Sequence, residues 1–375
     1  MVPDLAPHFR RIAEARRIVV KVGSALIVRD GRLRTDWLAS LAADLGRLRA
    51  TSEVILVSSG AIALGAQRLG LKRGGRASLA DAQAAASVGQ VDLANAWSAA
   101  LATQDLIAAQ MLVTLGDLED RRRYLNASAT LSRLLEAGVV PIVNENDSVA
   151  TEEIRFGDND RLAARIAQAA RAQAVVLLSD VDGLYDGDPR LGGATLVPQV
   201  DGVTPEIIAM AGEGSSSGIG SGGMLAKLQA ARIAERAGVT LAIVNGVPDR
   251  PLSRAFSSGT GTVFLPQADE TAREAWLSGR IAPSGVLTVD IGCVSALKEG
   301  ASVLAAGLTE VEGDFGRGDL VVLHGPKGER LGQGLVEYTA AECRAIVGLR
   351  ADEQAAALGY APRAAVVHRD HMVRG

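Results

Sequence analysis

The first two thirds of the chain alternate short apolar runs with alanine-rich stretches in which apolar residues recur at helical spacing. The apolar runs lack polar alternation, so each is expected to be a strand buried on both faces. Five runs have this pattern: Ile18–Val22, Val54–Val57, Val139–Val143, Val175–Leu178 and Leu241–Val244. Such strands, separated by helices such as the one predicted over 37–49, indicate an α/β fold whose mainly parallel sheet is sandwiched by helices.

Polar segments follow the predicted strands at their carboxyl ends. They are Gly23-Ser24, Ser59-Gly60, Asn144–Asp147 and Ser179-Asp180. Ligands of open α/β sheets bind at this edge. The strand pattern therefore selects these segments as candidate site loops before any chemistry is considered.

The pattern changes after residue 266. The segment 267–284 is predicted to be a linker containing a charged helix, so the α/β domain covers 1–266. From residue 285 onward, short alternating runs are separated by glycine turns, as in 286–289, 320–323 and 334–338. This texture predicts a small all-β domain with a C-terminal tail over 285–375, built as a barrel or an open sheet.

Composition narrows the class of protein. The net charge of −4 argues against a protein that coats nucleic acid. Cys293 and Cys343 match no metal-site spacing, and the four histidines are scattered, so a zinc site is not expected. No signal-peptide pattern and no apolar run of membrane-spanning length is visible. We therefore expect a soluble cytoplasmic protein.

Lysine is scarce in a chain that uses arginine for most of its positive charge. Only five of 39 basic residues are lysine, and Lys21 ends a strand predicted to be buried on both faces. An ammonium group buried there without a partner is costly, and Gly23 permits close approach of a ligand. Lys21 is therefore a candidate ligand for a phosphoryl group; the alternative is a lysine that reaches solvent from the strand end.

The segment Gly218–Lys227 is rich in glycine and leads into a predicted helix that ends near Arg236. No strand precedes the glycines directly, and no Gly-Lys-Ser/Thr occurs, so neither the dinucleotide fingerprint nor the Walker loop is present. Backbone N–H groups at such a helix start favour phosphate, and Lys227 could place its ammonium on a transferring phosphoryl group. The alternative is a flexible surface loop with a solvated lysine.

Four further segments carry candidate chemistry. Ser58–Ala61 could bind a carboxylate, or could be an ordinary helix cap. Carboxylates and amides occur together in Asn144–Asp147 and Phe156–Asp160. They could orient lysines, bind a substrate ammonium or reach Mg²⁺ through water. The alternative is a solvated turn followed by a helix cap. Ser179–Tyr185 could contact a nucleotide, or could be a plain turn.

Taken together, these motifs resemble the amino acid kinase family, and within it the members that act on glutamate. The segments that carry the resemblance are Lys21–Ser24, Ser59–Ala61, Asn144–Asp147, Gly157–Asp160, Asp180–Tyr185 and Gly222–Lys227. The tail, through 285–290, 311–315 and 334–338, is similar to a PUA domain. The order of so many motifs makes the resemblance specific, although Ser58 and Ser179 replace a usual Thr and Cys293 a usual Ala.

The resemblance implies roles for individual residues. Lys21 and Lys227 would stabilise the transferring phosphoryl group, and Asp160 would orient both lysines. The residues that would hold glutamate are Ser59, Gly60, Asn144, Asp147, Asp158 and Asn159. The residues that would hold ATP are Lys21, Gly23, Ser179, Asp180, Ser221, Gly222, Gly223, Met224, Leu225, Ala226 and Lys227.

The implied reaction is ATP-dependent phosphorylation of the γ-carboxylate of L-glutamate, with Mg²⁺ bound mainly through ATP rather than by a protein metal site. This would be the first step of proline biosynthesis, inhibited by proline, in a homo-oligomer (dimer or tetramer) that is coupled to glutamyl phosphate reductase. An acceptor carboxylate is already ionised at neutral pH, so no general base is needed.

Two alternatives remain open. A sister kinase acting on aspartate or N-acetylglutamate would share the fold and the lysine chemistry, but the PUA-like tail argues against it. The other alternative is an RNA-binding protein that acts through the PUA-like tail. The segment 285–365 contains seven Lys/Arg and eleven Asp/Glu, whereas a surface that neutralises RNA phosphates needs an excess of positive charge.

Overall fold

The computed structural model describes residues 9–149, 158–211, 223–266 and 283–374. The chain forms two compact units, each of which is considered by itself. The first lies within Met1–Glu119 and Asn126–Ala268, and the second lies within Asp120–Leu125 and Asp269–Gly375. Among the described residues, no helix combines the length and the apolar character needed to cross a membrane.

The first unit contains an eight-stranded sheet with the order β5-β6-β4-β1-β7-β9-β10-β8. Neighbouring strands are parallel throughout, except that β10 runs antiparallel to β9. The strands of this unit, including the separate hairpin β2–β3, are β1 (Arg17–Val22), β2 (Val28–Arg29), β3 (Arg32–Leu33), β4 (Glu53–Ser58), β5 (Ala108–Val113), β6 (Val140–Glu145), β7 (Ala174–Ser179), β8 (Gln199–Asp201), β9 (Thr240–Asn245) and β10 (Thr262–Leu265).

All five strands expected from the sequence are present, and the predicted α/β class is confirmed. The helices are α1 (Arg10–Ala13), α2 (Ser24–Ile27), α3 (Thr35–Arg49), α4 (Ala61–Arg68), α5 (Leu79–Ala102), α6 (Leu115–Glu119), α7 (Arg121–Glu136), α8 (Asp158–Ala170), α9 (Pro205–Ala209), α10 (Met224–Arg236) and α11 (Pro251–Ser258). The start of α7, up to Leu125, belongs to the second unit. The strand β6 continues through Asn144 and Glu145, which the sequence placed just beyond it.

The core of this unit is aliphatic, as its low aromatic content predicts, with two buried tryptophans as the largest side chains. Each indole N–H has an acceptor: Trp37 donates to the Gly246 carbonyl at 2.9 Å, and Trp97 donates to Ser58 Oγ at 2.8 Å. Buried polar groups need such partners. Both tryptophans therefore contribute apolar bulk and fix a loop at the carboxyl edge of the sheet.

Helices α4 and α5 touch through glycine. A Cβ atom on Gly65 would overlap the carbonyl oxygen of Ala85, and one on Gly89 would overlap the carbonyl oxygen of Ala61. Only residues without a side chain allow two backbones to approach this closely. The contact holds α5 against the first turn of α4, which directly follows Ser59 and Gly60.

The second unit is built on a five-stranded sheet with the order β12-β11-β13-β14-β15, in which only β11 and β13 are parallel. The predicted β strands are confirmed, and three helices that the sequence did not predict accompany them. The elements are β11 (Gly285–Val289), α12 (Ile291–Lys298), β12 (Leu308–Gly313), β13 (Leu320–His324), β14 (Arg330–Val336), α13 (Ala340–Ile346), α14 (Ala351–Leu358) and β15 (Val367–Arg374). This unit has its own hydrophobic core, which includes Cys293 and Cys343.

Candidate active site

The site is built on four adjacent parallel strands, β6, β4, β1 and β7. Because the strands are parallel, their carboxyl ends meet at one edge of the sheet. Lys21 and Gly23, Ser59, Asn144 and Ser179 all lie there. The strand pattern therefore selected segments that do share one edge.

Two lysines converge on one carboxylate. Lys21 Nζ, from β1, lies 2.5 Å from Asp160 Oδ1, and Lys227 Nζ, from the first turn of α10, lies 3.2 Å from Asp160 Oδ2. The side chain of Asp160, in the first turn of α8, is 0% exposed, and both lysine side chains are nearly so. Residues separated by more than 200 positions thus form one buried cluster with two positive charges and one negative charge.

Burial and charge shift the pKa values in this cluster. Burial lowers the pKa of Lys21, and the nearby Lys227 charge lowers it further, although Asp160 acts in the opposite direction. Burial alone would raise the pKa of Asp160, but the charges and hydrogen bonds of Lys21 and Lys227 outweigh it, and the pKa lies below the usual range. Asp160 is therefore a fixed anion that holds the two ammonium groups in place.

Gly23 lies beside the Lys21 ammonium. Its φ of −71° is open to any residue, so the backbone conformation does not require glycine. A Cβ atom at this position would lie 3.9 Å from Lys21 Nζ and 3.8 Å from the Leu178 carbonyl oxygen. Glycine here keeps the space beside the ammonium free for a ligand.

On the β4–β6 side, polar side chains form a hydrogen-bonded chain. Asn159 Nδ2 donates to Ser59 Oγ at 2.6 Å and to Asn144 Oδ1 at 3.1 Å. Asn144 Nδ2 donates to Gln90 Oε1 at 2.7 Å. Gly60, with a φ of 114°, makes the left-handed turn that opens α4 beside Ser59. The predicted acceptor-side residues Ser59, Gly60, Asn144 and Asn159 are therefore close together.

Two residues of this region were not anticipated from the sequence. Gln90 comes from the middle of α5, and Arg76 lies near Asp147, whose charge opposes the lowering of the Arg76 pKa that burial causes. Neither belongs to a motif, and a lone Gln in an alanine-rich helix gives no signal. Asp147 is half-buried. Asp158 begins α8, and its side chain lies outside the described part of the chain.

On the β7 side, the loop after the strand is fixed from several directions. Ser179 is buried, its hydroxyl donates to Asp180 Oδ1 at 3.2 Å, and its carbonyl accepts from Gly246 N at 2.7 Å. Asp182 accepts from Asn245 Nδ2 at 2.9 Å and from Tyr185 Oη at 3.0 Å. Asp180 itself is exposed, so this hydrogen-bonded loop presents a carboxylate to solvent.

Only the last part of the glycine-rich loop, from Gly223 onward, belongs to the described residues. Gly223 is the N-cap of α10, followed by Met224, Leu225, Ala226 and Lys227. Ser221 and Gly222 lie outside the described residues. Within the described ranges, no group of three or more His, Cys, Asp or Glu side chains is arranged to hold a metal ion.

The arrangement suits transfer of a phosphoryl group. Two ammonium groups in a site shielded from water stabilise charge on phosphoryl oxygens more strongly than they would in water. The contacts described for the two ammonium groups are to the Asp160 carboxylate. Such a cluster suits transfer to an acceptor that brings its own nucleophilic oxygen.

Comparison with known proteins finds matching family models and similar chains. The model of the amino acid kinase family matches residues 16–245, and the PUA domain matches residues 285–358. A protein named glutamate 5-kinase from Novosphingobium aromaticivorans is 60% identical over 95% of each chain. One of the same name from Sphingopyxis alaskensis is 59% identical over 96% of this chain and 98% of its own. A third, from Zymomonas mobilis, is 51% identical over 95% of this chain and 91% of its own.

Proposed function

Because the chain belongs to the amino acid kinase family, and within it to the glutamate 5-kinases, we propose that Lys21, Lys227 and Asp160 are its phosphoryl-transfer centre. The enzyme transfers the γ-phosphoryl group of ATP to the γ-carboxylate of L-glutamate, a step of proline biosynthesis. The observation that carries the proposed centre is the contact of both ammonium groups with the two oxygens of one buried carboxylate.

The reaction needs positioning and charge rather than proton transfer. A glutamate γ-carboxylate oxygen attacks the γ-phosphorus of ATP in line with the bond to the β-phosphate oxygen. A new O–P bond forms as the old one breaks, and ADP leaves with the electron pair. The attacking carboxylate is ionised at neutral pH, so no proton has to be removed. Lys21 and Lys227 stabilise the negative charge on the phosphoryl oxygens during the transfer.

Asp160 acts on the lysines rather than on the substrate. A single carboxylate between two ammonium groups fixes their positions and leaves the cluster with one net positive charge. Complete neutralisation would remove the attraction for phosphate, and the absence of any carboxylate would make two adjacent cations repel. We therefore assign Asp160 the role of positioning both lysines.

The two substrates are assigned to opposite sides of β1. Glutamate is held by Ser59, Gly60, Asn144, Asp147, Asp158 and Asn159. ATP is held by Gly23, Ser179, Asp180 and the segment 221–227, together with the two lysines. Mg²⁺ would enter with ATP and neutralise charge on its phosphates, and the exposed carboxylate of Asp180 at the end of β7 could reach the ion through water.

Regulation and assembly follow from the place of the reaction in biosynthesis. Proline, the end product, is proposed to inhibit by competing at the glutamate site, which already accommodates an α-amino acid. We also propose a cytoplasmic homo-oligomer that is functionally coupled to glutamyl phosphate reductase, since an acyl phosphate hydrolyses readily when it is released into water. Glutamate turnover measured with and without millimolar proline tests the first of these; indifference to proline contradicts it.

A hydroxylamine trap tests the acceptor. The purified protein is incubated with ATP, Mg²⁺, hydroxylamine and either L-glutamate, L-aspartate or N-acetyl-L-glutamate. We expect a hydroxamate with glutamate and none above background with the other two. Failure to form the glutamate hydroxamate contradicts the proposed function, and a hydroxamate formed only with aspartate or N-acetylglutamate identifies a sister kinase instead.

A further inference from the structure

We propose that Gln90 is a positioning residue for the amino-acid substrate, which it serves through the side-chain amides of Asn144 and Asn159. Gln90 lies in the middle of α5, is only 9% exposed, and is not part of any catalytic motif. A buried amide in an otherwise alanine-rich helix needs a reason, because its polar atoms must be satisfied. The inference rests on the proposed function, since it concerns the glutamate side of that site.

The orientation of Asn144 is fixed by the backbone. The Glu145 N–H, which can only donate, lies 2.9 Å from Asn144 Oδ1. The other atom of this amide must therefore be the nitrogen, and it donates to Gln90 Oε1 at 2.7 Å. Reversal of the Asn144 amide would bring two donors together at Glu145, so the backbone N–H excludes it, and Gln90 accepts through its oxygen in the arrangement that remains.

The orientation of the Asn144 amide also fixes the orientation of the Asn159 amide. Because Asn144 Oδ1 is an acceptor, the Asn159 atom 3.1 Å away must be its nitrogen, which also donates to Ser59 Oγ at 2.6 Å. The oxygen of Asn159 is buried and accepts no hydrogen bond from any described residue. The hydroxyl of Ser59 accepts from Asn159, so its own hydrogen is available to another acceptor.

The chain of amides therefore determines which groups of the site are hydrogen-bond donors and which are acceptors. It presents an unused acceptor, Asn159 Oδ1, and an available donor, the Ser59 hydroxyl, next to each other. A free α-amino acid offers an ammonium donor and a carboxylate acceptor, which complement these two groups. Gln90 stabilises the one arrangement of Asn144 that keeps this pattern, although it need not touch the substrate.

Three variants test this role by steady-state kinetics. Gln90→Met retains length and removes the acceptor, and we expect the KM for glutamate to rise about tenfold, with kcat and the KM for ATP within about twofold. Gln90→Glu retains an oxygen at the same reach and is expected to keep the KM for glutamate near the wild-type value. Gln104→Met is the matched control, because the amide of Gln104 bonds only to Thr103 in the described structure; its kinetics should not change.

A double-mutant cycle separates positioning from a general structural effect. In an Asn144→Ala background, Gln90→Met should raise the KM for glutamate no further, because the partner through which it acts is gone. Equal and independent effects in the two backgrounds overturn the proposal. So does a KM for glutamate that Gln90→Met leaves unchanged, or that Gln90→Glu raises as much as Gln90→Met.

Two controls keep the outcomes distinct. Thermal unfolding is measured for each variant. If Gln90→Met unfolds below the assay temperature, the kinetics of Gln90→Glu test the proposal instead. A tenfold rise in the KM of Gln90→Glu for glutamate then overturns it. The wild-type protein is assayed first. Absence of glutamate phosphorylation there contradicts the proposed function, whereas normal wild-type turnover with unresponsive Gln90 variants contradicts only the role of Gln90.

Discussion

Asp160 carries one negative charge between two ammonium groups, and this imbalance determines what each substitution does. Removal of either lysine leaves Asp160 paired with the other, so no buried carboxylate is left without a counter-ion. Removal of Asp160 instead leaves two buried cations facing each other. Lysine variants are therefore the cleaner probes of catalysis.

Lys21→Ala and Lys227→Ala are each expected to lower kcat by about two to three orders of magnitude while the fold survives, since each removes a preorganised charge from the transferring group. Lys21→Arg and Lys227→Arg should rescue poorly, because a planar guanidinium does not fit the position of a compact ammonium. Hydroxamate formation at saturating substrates and circular dichroism provide the measurement. Lys298→Ala, at an exposed lysine of the second unit, is the control; near-normal turnover in a Lys21 or Lys227 variant means that its role is wrongly assigned.

The pH dependence of kcat follows from the lowered pKa of Lys21. As pH rises through that pKa, Lys21 loses its proton and its charge, so kcat should decline at a pH below the usual lysine value of 10.5. The residual activity of Lys21→Arg should not decline in this range, because a guanidinium stays protonated. Rate profiles of the two proteins from neutral to alkaline pH make the comparison, and identical alkaline limbs refute the assignment.

At the scale of elements, the contact between α4 and α5 reverses an ordinary rule. Replacement of a helical glycine by alanine normally stabilises a helix by about 1 kcal/mol. Gly65→Ala should instead destabilise the protein by about 1–3 kcal/mol or more, because the new methyl group overlaps the Ala85 carbonyl. Denaturant unfolding measures the difference. Gly116→Ala, in α6, is the control, since its Cβ atom would meet only Thr114 Oγ1 at 3.7 Å; equal behaviour of the two variants contradicts the close contact.

The loop after β7 offers a second test at this scale. Asn245→Ala removes the hydrogen bond that β9 contributes to Asp182 and so loosens the loop proposed to hold ATP. We expect the KM for ATP to rise about fivefold, with the KM for glutamate unchanged, for the loss of one hydrogen bond. Asn95→Ala, on the exposed face of α5, is the control. A change in the KM for glutamate alone would show that the loop serves the other substrate.

The elements that could be predicted are those whose burial produces a recognisable pattern of apolar residues in the sequence. Strands buried on both faces, such as β1 and β7, are continuous apolar runs, whereas β5 is an edge strand that includes Gln110 and has half-exposed residues, so it has no such run. The three helices of the second unit were missed for a related reason: each has only seven or eight residues, too few for a clear helical spacing of apolar residues.

The residues of the candidate site were likewise predictable only where the local sequence is unusual. Lys21 and Lys227 were visible because lysine is rare, because Lys21 ends an apolar strand and because Lys227 follows a glycine-rich loop, but Asp160 was assigned through the family resemblance. Gln90 could not be predicted, since its partner Asn144 lies 54 residues away and the contact exists only after α5 has packed. Hydrogen-bond polarity within the site is likewise a property of the folded chain.

For the whole molecule, the division into two units predicts a separable activity. Every candidate catalytic, glutamate-binding and ATP-binding residue lies in the first unit, which has its own hydrophobic core. A protein ending at residue 266 is therefore expected to phosphorylate glutamate at a rate within a few-fold of the full chain. The comparison requires equal hydroxamate assays and a circular dichroism spectrum; a folded but inactive fragment would mean that the PUA domain takes part in catalysis.

The central place of β1 in the sheet has a kinetic consequence. The residues proposed to hold glutamate follow β4 and β6, those proposed to hold ATP follow β7, and β1 lies between them with Lys21 at its end. With this assignment, each substrate approaches the lysines from its own side of β1. We therefore expect glutamate and ATP to bind in either order, and ADP and the acyl phosphate to depart in either order; initial-rate kinetics with product inhibition test this.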